Sequence, residues 1–138
     1  MLPSIYTSCW RTKIDPMRFA RIGISRGTPR QAGFRRYLPL QPGQWWRDVT
    51  DEVEWCAAYD RLILAPLDPR RVVAELQALA DGRPAVLLCW EPPPPDLSFC
   101  HCALVSRWLH KELNIEVREL GYEAAGFGCQ HPKLPSQA

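Results

Sequence analysis

No apolar run in this chain comes near the roughly 20 residues that span a bilayer, and the opening Met1-Leu2-Pro3-Ser4 lacks the basic-then-apolar pattern of a secretory signal. No membrane segment is expected, and the expected address is the cytoplasm. The absence of an internal repeat argues against a solenoid or propeller. A glycine-rich phosphate loop, a GxGxxG turn, a nucleophile elbow and an HExxH helix are missing too. The standard motif routes to nucleotide hydrolysis, dinucleotide binding, ester hydrolysis and zinc proteolysis therefore find no support. Lysine is scarce, at three residues against 14 arginines.

What is present suffices for one folded unit. The chain has 138 residues and is 46% hydrophobic, enough to bury a core and too much for a disordered or collagen-like chain. Its formal net charge of +2 hides a division. Between Arg11 and Arg47 nine basic residues face Asp15 alone, a net +8, while the rest carries eight basic against 14 acidic residues, a net −6. The planar arginine fork suits bidentate contacts to phosphate or carboxylate. The segment reads either as an anion-facing surface or as a solvated basic face, and a compositional bias toward arginine would produce the same count.

Six cysteines in a chain without a secretory signal are expected to be reduced thiols rather than a disulfide framework. Cys9 and Cys56 sit among apolar neighbours and are expected to pack as small hydrophobes.

Hydrophobic periodicity predicts a first strand over Ser4 to Trp10 and a second over Phe19 to Ser25, where Ala20, Ile22 and Ile24 share one face. From Arg26 to Arg47 closely spaced glycines and prolines predict a long basic and aromatic loop. A helix is expected from near Asp48 or Thr50. A second is marked by Asp68 as N-cap, Pro69 in the first turn and Gly82 as left-handed terminator, with Val72, Val73, Leu76, Leu79 and Ala80 in one stripe. The uninterrupted run Ala85 to Trp90 predicts a strand covered on both faces, at the centre of a parallel sheet. Pro92 to Pro95 reads as a stiff connection. Ser98 then caps a helix from Phe99 to about Leu113, ended by Asn114, and Ile115 to Leu120 alternates as a last, exposed strand. This order predicts one compact α/β domain over residues 1–120, with helices packed on a mostly parallel sheet of about four strands. Residues 121–138 are expected to form a loosely structured tail.

Ligands in open α/β sheets bind beyond the carboxyl ends of the strands. Cys89 and Glu91 should lie at that rim, and Cys100, His101 and Cys102 in the first turn of the following helix should face them. A thiol at a helix start feels the positive end of the dipole, which favours thiolate. That makes Cys100 the candidate nucleophile, with His101 or Glu91 moving the proton. Packing is the plainer role for Cys89 and Cys102, and capping for His101. A zinc reading uses Cys89, Cys100, His101 and Cys102, with Cys129 and His131 from the tail. Against it, Cys100 and Cys102 on one helix would diverge by about 200°. His101-Cys102 to Arg107 has the outline of a shortened thiol phosphatase cradle, but Ala103-Leu104-Val105 is apolar and carries on as helix, so that reading fails.

Ile5-Tyr6-Thr7-Ser8, Ile24-Ser25-Arg26-Gly27-Thr28-Pro29, Tyr37-Leu38-Pro39-Leu40, Leu87-Leu88-Cys89-Trp90-Glu91 and Phe99-Cys100-His101, followed by Leu104-Val105 and Trp108-Leu109, resemble the bacterial domain of unknown function 488 family in order and content. The resemblance covers nearly all of residues 4–120. It implies a small α/β sandwich and no established activity. This chain departs from the family pattern at Cys102, where an arginine usually follows Cys-His, with Arg107 as a candidate replacement. Its connection between Glu91 and Cys100 is also longer and richer in proline.

The expected function is an enzyme-like domain that binds a phosphorylated or nucleotide-like anion through Arg26, Arg35 and Arg36, beside Cys89, Glu91, Cys100 and His101. Two rival readings are a nucleic-acid-binding module without catalysis and a zinc-stabilised interaction domain. In the first, the basic segment and Trp10, Phe19, Phe34, Tyr37, Trp45 and Trp46 contact phosphates and bases. No cofactor or oligomeric state is indicated.

Overall fold

The five residues Ala85–Cys89 carry no polar side chain other than a thiol, and all five are buried. Such a run can be satisfied only between two covered faces. A computed structural model describes residues 4–91 and 99–135 and places this run at the middle of a five-stranded sheet. The strands are β1 (Ile5–Cys9), β2 (Ala20–Gly23), β3 (Phe34–Arg36), β4 (Ala85–Cys89) and β5 (Arg118–Glu119), in the spatial order β3-β2-β4-β1-β5. Every pairing is parallel, with Ile5 opposite Ala85 and Ala20 opposite Ala85 flanking the centre. The α/β class is as expected, with one strand more than the four foreseen. The addition is β3, three residues inside the segment expected to be loop, whose Arg35 and Arg36 are exposed at the sheet edge.

The helices are α1 (Glu52–Tyr59), α2 (Pro69–Ala80) and α3 (His101–Leu113), with a π-helical turn at Asp60–Leu64 continuing α1. Asp51 and Asp68 accept backbone N–H groups of Glu54 and Arg70 at 3.0 Å, capping α1 and α2. α2 ends in left-handed geometry at Asp81 with Gly82 following in the same region, and α3 ends likewise at Asn114. The expected cap Ser98 lies outside the described residues. Cys100 holds the N-cap position of α3, and its sulfur accepts from Cys102 N at 3.4 Å.

Buried residues of all three helices join Ile5, Ile22, Leu87 and Cys89 in the larger core cluster. The opposite sheet face carries Trp10, Val86 and Leu88, with Tyr6, Ile14, Phe19, Phe34 and Leu120 packed around them. Gly23 is required by that second layer, since a Cβ there would stand 2.5 Å from Trp10 Cζ2. Among the described residues no helix is long and apolar enough to cross a membrane.

The segment after Gly121, expected to be loose, forms short 3-10 turns at Glu123–Ala125 and Gly128–Gln130 and packs against α3. Gly128 N–H donates to Ser106 Oγ at 3.0 Å, and a side chain at Gly128 would meet the His110 ring. Beyond it, His131 and Lys133 are buried with Thr7 and Glu119. Each proton in this group has an address. Lys133 N–H donates to His131 Nδ1 at 3.1 Å, which leaves the ring proton on Nε2, 2.7 Å from Thr7 Oγ1. The Thr7 hydroxyl donates to Glu119 Oε1 at 2.7 Å, and Lys133 Nζ stands 2.7 Å from Glu119 Oε2. A lysine and a glutamate buried together are tolerated because each neutralises the other, while Thr7 donates to Glu119 Oε1 and Lys133 Nζ donates to Glu91 O.

Burial, and then the Lys133 charge, hold His131 down to about 4. An unfolded histidine binds its proton near about 6.5. Between those values the unfolded chain holds a proton that the folded one refuses, so this contribution is complete above that range and is lost as pH falls through it. Chemical denaturation at pH 7.5 and 4.5 should show the wild type losing about 2–3 kcal/mol more than His131→Gln over that interval. Lys133→Met leaves Glu119 buried without its counter-charge and should cost about 3–5 kcal/mol at neutral pH, measured in the same way.

Candidate functional site

Because the strands are parallel, the segments that leave β2 and β4 emerge on the same rim as the start of α3. Ser25, Arg26 and Gly27 follow β2, Trp90 and Glu91 follow β4, and His101 opens α3. They line a cleft of about 610 Å³ together with Pro42, Gln44, Trp46, Arg47 and Trp55. The rim is built from hydrogen bonds between its own loops. Trp10 Nε1 donates to Ser25 Oγ at 2.9 Å, Ser25 Oγ donates to Gly27 O at 2.6 Å, and Trp90 Nε1 donates to the same carbonyl at 3.0 Å. Arg26 is anchored to Pro42 O at 3.0 Å, which joins the two sides of the cleft. Trp55 packs edge-on to Trp45 and Phe99, stacks on Tyr59, and has its ring 5.9 Å from that of His101.

His101 is buried, with Nε2 2.9 Å from Ile24 O. That contact puts the ring proton on Nε2 and the lone pair on Nδ1. Burial lowers its pKa, opposed by the Ile24 carbonyl and the Glu91 carboxylate, and keeps the imidazole neutral. Glu91 is half-buried, with Oε2 shielded from solvent and without a hydrogen-bond partner among the described residues. Lys133 grips both flanks of this pair. Its Nζ donates to Glu91 O at 3.0 Å, and its own carbonyl accepts from Cys100 N at 3.0 Å.

The thiols behave differently from the sequence expectation. Cys100 has no exposed surface, and its pKa is pushed well up, first by desolvation and then by the Glu91 carboxylate, against weaker help from Lys133 and the Cys102 amide. Dehydrating a thiolate costs more here than the helix start returns, so a nucleophilic Cys100 is not supported. Cys89 and Cys102, expected as free thiols, form a disulfide. The last residue of β4 faces the inner side of α3, and the two Cα atoms lie 6.8 Å apart. Cys9, Cys56, Cys100 and Cys129 are free.

The predicted anion-binding residues divide. Arg26 lines the cleft, whereas Arg35 and Arg36 belong to the exposed edge strand and do not. Arg47, on the turn Gln44–Arg47, stands in the cleft wall instead, its guanidinium 5.2 Å from the Trp46 ring centre. The signal for it was the Trp45-Trp46-Arg47 triplet inside the basic segment. Arg107 does not line this cleft and pairs instead with Asp60 at 3.2 Å. Cys129 is exposed while His131 is buried against Thr7, so the tail pair does not converge on an ion. Among the described residues one group of potential metal ligands comes together: Cys89, Cys100 and His101, with ligand atoms within 4.8 Å of one another.

No protein family, curated protein or solved structure matches this chain.

Native alkylation at neutral pH without reductant should modify Cys129 and leave Cys9 and Cys100 untouched until the protein is denatured. Peptide mass spectrometry checks this; labelling of Cys100 at the rate of Cys129 would restore it as a nucleophile. Cys56, pushed up to about 11 mainly by burial, should react more slowly than Cys129.

Proposed function

We propose that the rim cleft binds a small phosphorylated ligand with an aromatic, nucleotide-like body. The observation that carries this reading is the pair Arg26 and Arg47, which face one cleft with Trp46, Trp55 and Trp90. Two guanidinium groups supply charge-assisted donors for a phosphate, and indole faces supply stacking surface for a planar ring. Glu91 and neutral His101 are the groups at hand for proton transfer, so any catalysis at this site is acid–base rather than thiol chemistry. The resemblance to the domain of unknown function 488 family fits this reading through Arg26, Glu91 and His101, which lie in the quoted motifs. The site is proposed to work in the cytoplasm.

Tryptophan fluorescence titrated with adenosine monophosphate and, separately, with inorganic phosphate tests the proposal. The nucleotide should quench emission and bind more tightly than phosphate alone. Arg26→Ala and Arg47→Ala should each weaken binding about tenfold, as expected for loss of a hydrogen bond to a charged group. Arg35→Ala and Arg36→Ala should leave it unchanged. Absence of binding by both probes, or equal losses from the edge-strand variants, overturns the reading. Preference for a single-stranded oligonucleotide with a steep salt dependence would turn it toward nucleic-acid binding instead.

A further inference from the structure

Cys89 and Cys100 are not used by the anion reading, and with His101, which lines the cleft, they form a cluster whose argument does not depend on it. Cys89 Sγ, Cys100 Sγ and a His101 ring nitrogen lie within 4.8 Å of one another, all buried. The spacing suits one tetrahedral ion of the soft-to-borderline kind that thiolate and imidazole prefer. The Glu91 carboxylate stands outside that group. Among the described residues its shielded Oε2 has no hydrogen-bond partner, and a carboxylate oxygen left so costs free energy that a nearby cation would offset. One thing blocks the site, namely the bond that ties Cys89 to Cys102.

We propose that reduction of the Cys89–Cys102 disulfide opens a site for one divalent cation of zinc type, held by Cys89, Cys100 and His101 with the fourth position left to water or a small ligand. The chemistry balances in two steps. A dithiol reductant gives two electrons and two protons to the Cys89–Cys102 bond, leaving two protein thiols and the reductant's own disulfide. The cation then displaces one proton each from Cys89 and Cys100, while Cys102 remains a thiol. If the histidine binds through Nε2, it exchanges its hydrogen bond to Ile24 O for the metal, and its proton moves to Nδ1. Cys100 at the N-cap, before the helix proper begins, is what allows it to face the same point as Cys89. Disulfides in a reducing compartment are usually transient and redox-sensing, which is the behaviour a blocked metal site requires.

Cobalt(II), a spectroscopic stand-in for zinc, tests this in the full-length protein. After reduction by a phosphine, the protein should bind one cobalt per chain with a thiolate-to-cobalt charge-transfer band and the visible bands of a tetrahedral ion. The unreduced protein should show neither. Cys100→Ser and Cys89→Ser should each weaken binding about tenfold or more and lower the band, while Cys129→Ser leaves it unchanged. Cys102→Ser is the decisive variant, because Cys89 is then never tied up and cobalt should bind without any reductant. Near-ultraviolet circular dichroism confirms that each variant is folded. The proposal is overturned if the reduced wild type gives no thiolate band, if the band survives in Cys100→Ser, or if folded Cys102→Ser still needs reductant.

Discussion

The ion pair between Glu119 and Lys133 is the contact on which the functional half of the molecule rests. Neither charge reaches water, so the two must stay together or the fold gives up a buried, unpaired charge. Thr7 brings β1 into the pair and His131 adds the second link of the closing segment. Through Lys133 the same pair reaches the rim, because its side chain holds Glu91 and its backbone holds Cys100. Glu91 and Cys100 are thus both tied to Lys133. Glu91 and the start of α3 are held by a lysine that does not line the cleft.

Burial divides the labour among the polar groups. Arg26, Arg47, Trp46 and Trp90 line the cleft with exposed side chains, where charge is cheap to keep hydrated. Cys100 and His101 are buried, and desolvation favours their neutral forms.

Much of the fold could be read from sequence wherever one physical demand dominated. The apolar run at Ala85 leaves no alternative to a doubly covered strand, and Asp68-Pro69 announces a helix start through capping alone. Arg26, Glu91 and His101 were placed on one rim because parallel strands put all their carboxyl ends there. Other features depended on placement finer than periodicity provides. The three residues of β3 are too few to show a pattern between Gly33 and Pro39, and they carried Arg35 and Arg36 out to the edge. The disulfide turned on where α3 begins: with a start at Phe99 both Cys100 and Cys102 are helical, whereas with Cys100 as cap, Cys102 is the residue that meets Cys89. Ile115 to Leu120 read as an exposed strand, whereas Ile115, Val117 and the Glu119 carboxylate are buried. Its partner lay beyond glycines and prolines that read as a loose tail, and only tertiary packing brings Lys133 back.

The central position of β4 also orders events during folding. β1 and β2 are both made early, yet neither pairs with the other; each pairs with β4, whose first residue follows Ile5 by 80 positions. Until that run is synthesised, the first strand has no partner in the sheet, and the only strand pairing open to the early chain is the short one between β2 and β3. Closing loops of that length must precede most of the favourable contacts, so assembly is expected to be late and concerted rather than progressive. For that interval Ile5 and Ile22 remain without the strand that covers them, and the arginines clustered around them are the charges best placed to keep the waiting segment from finding another edge.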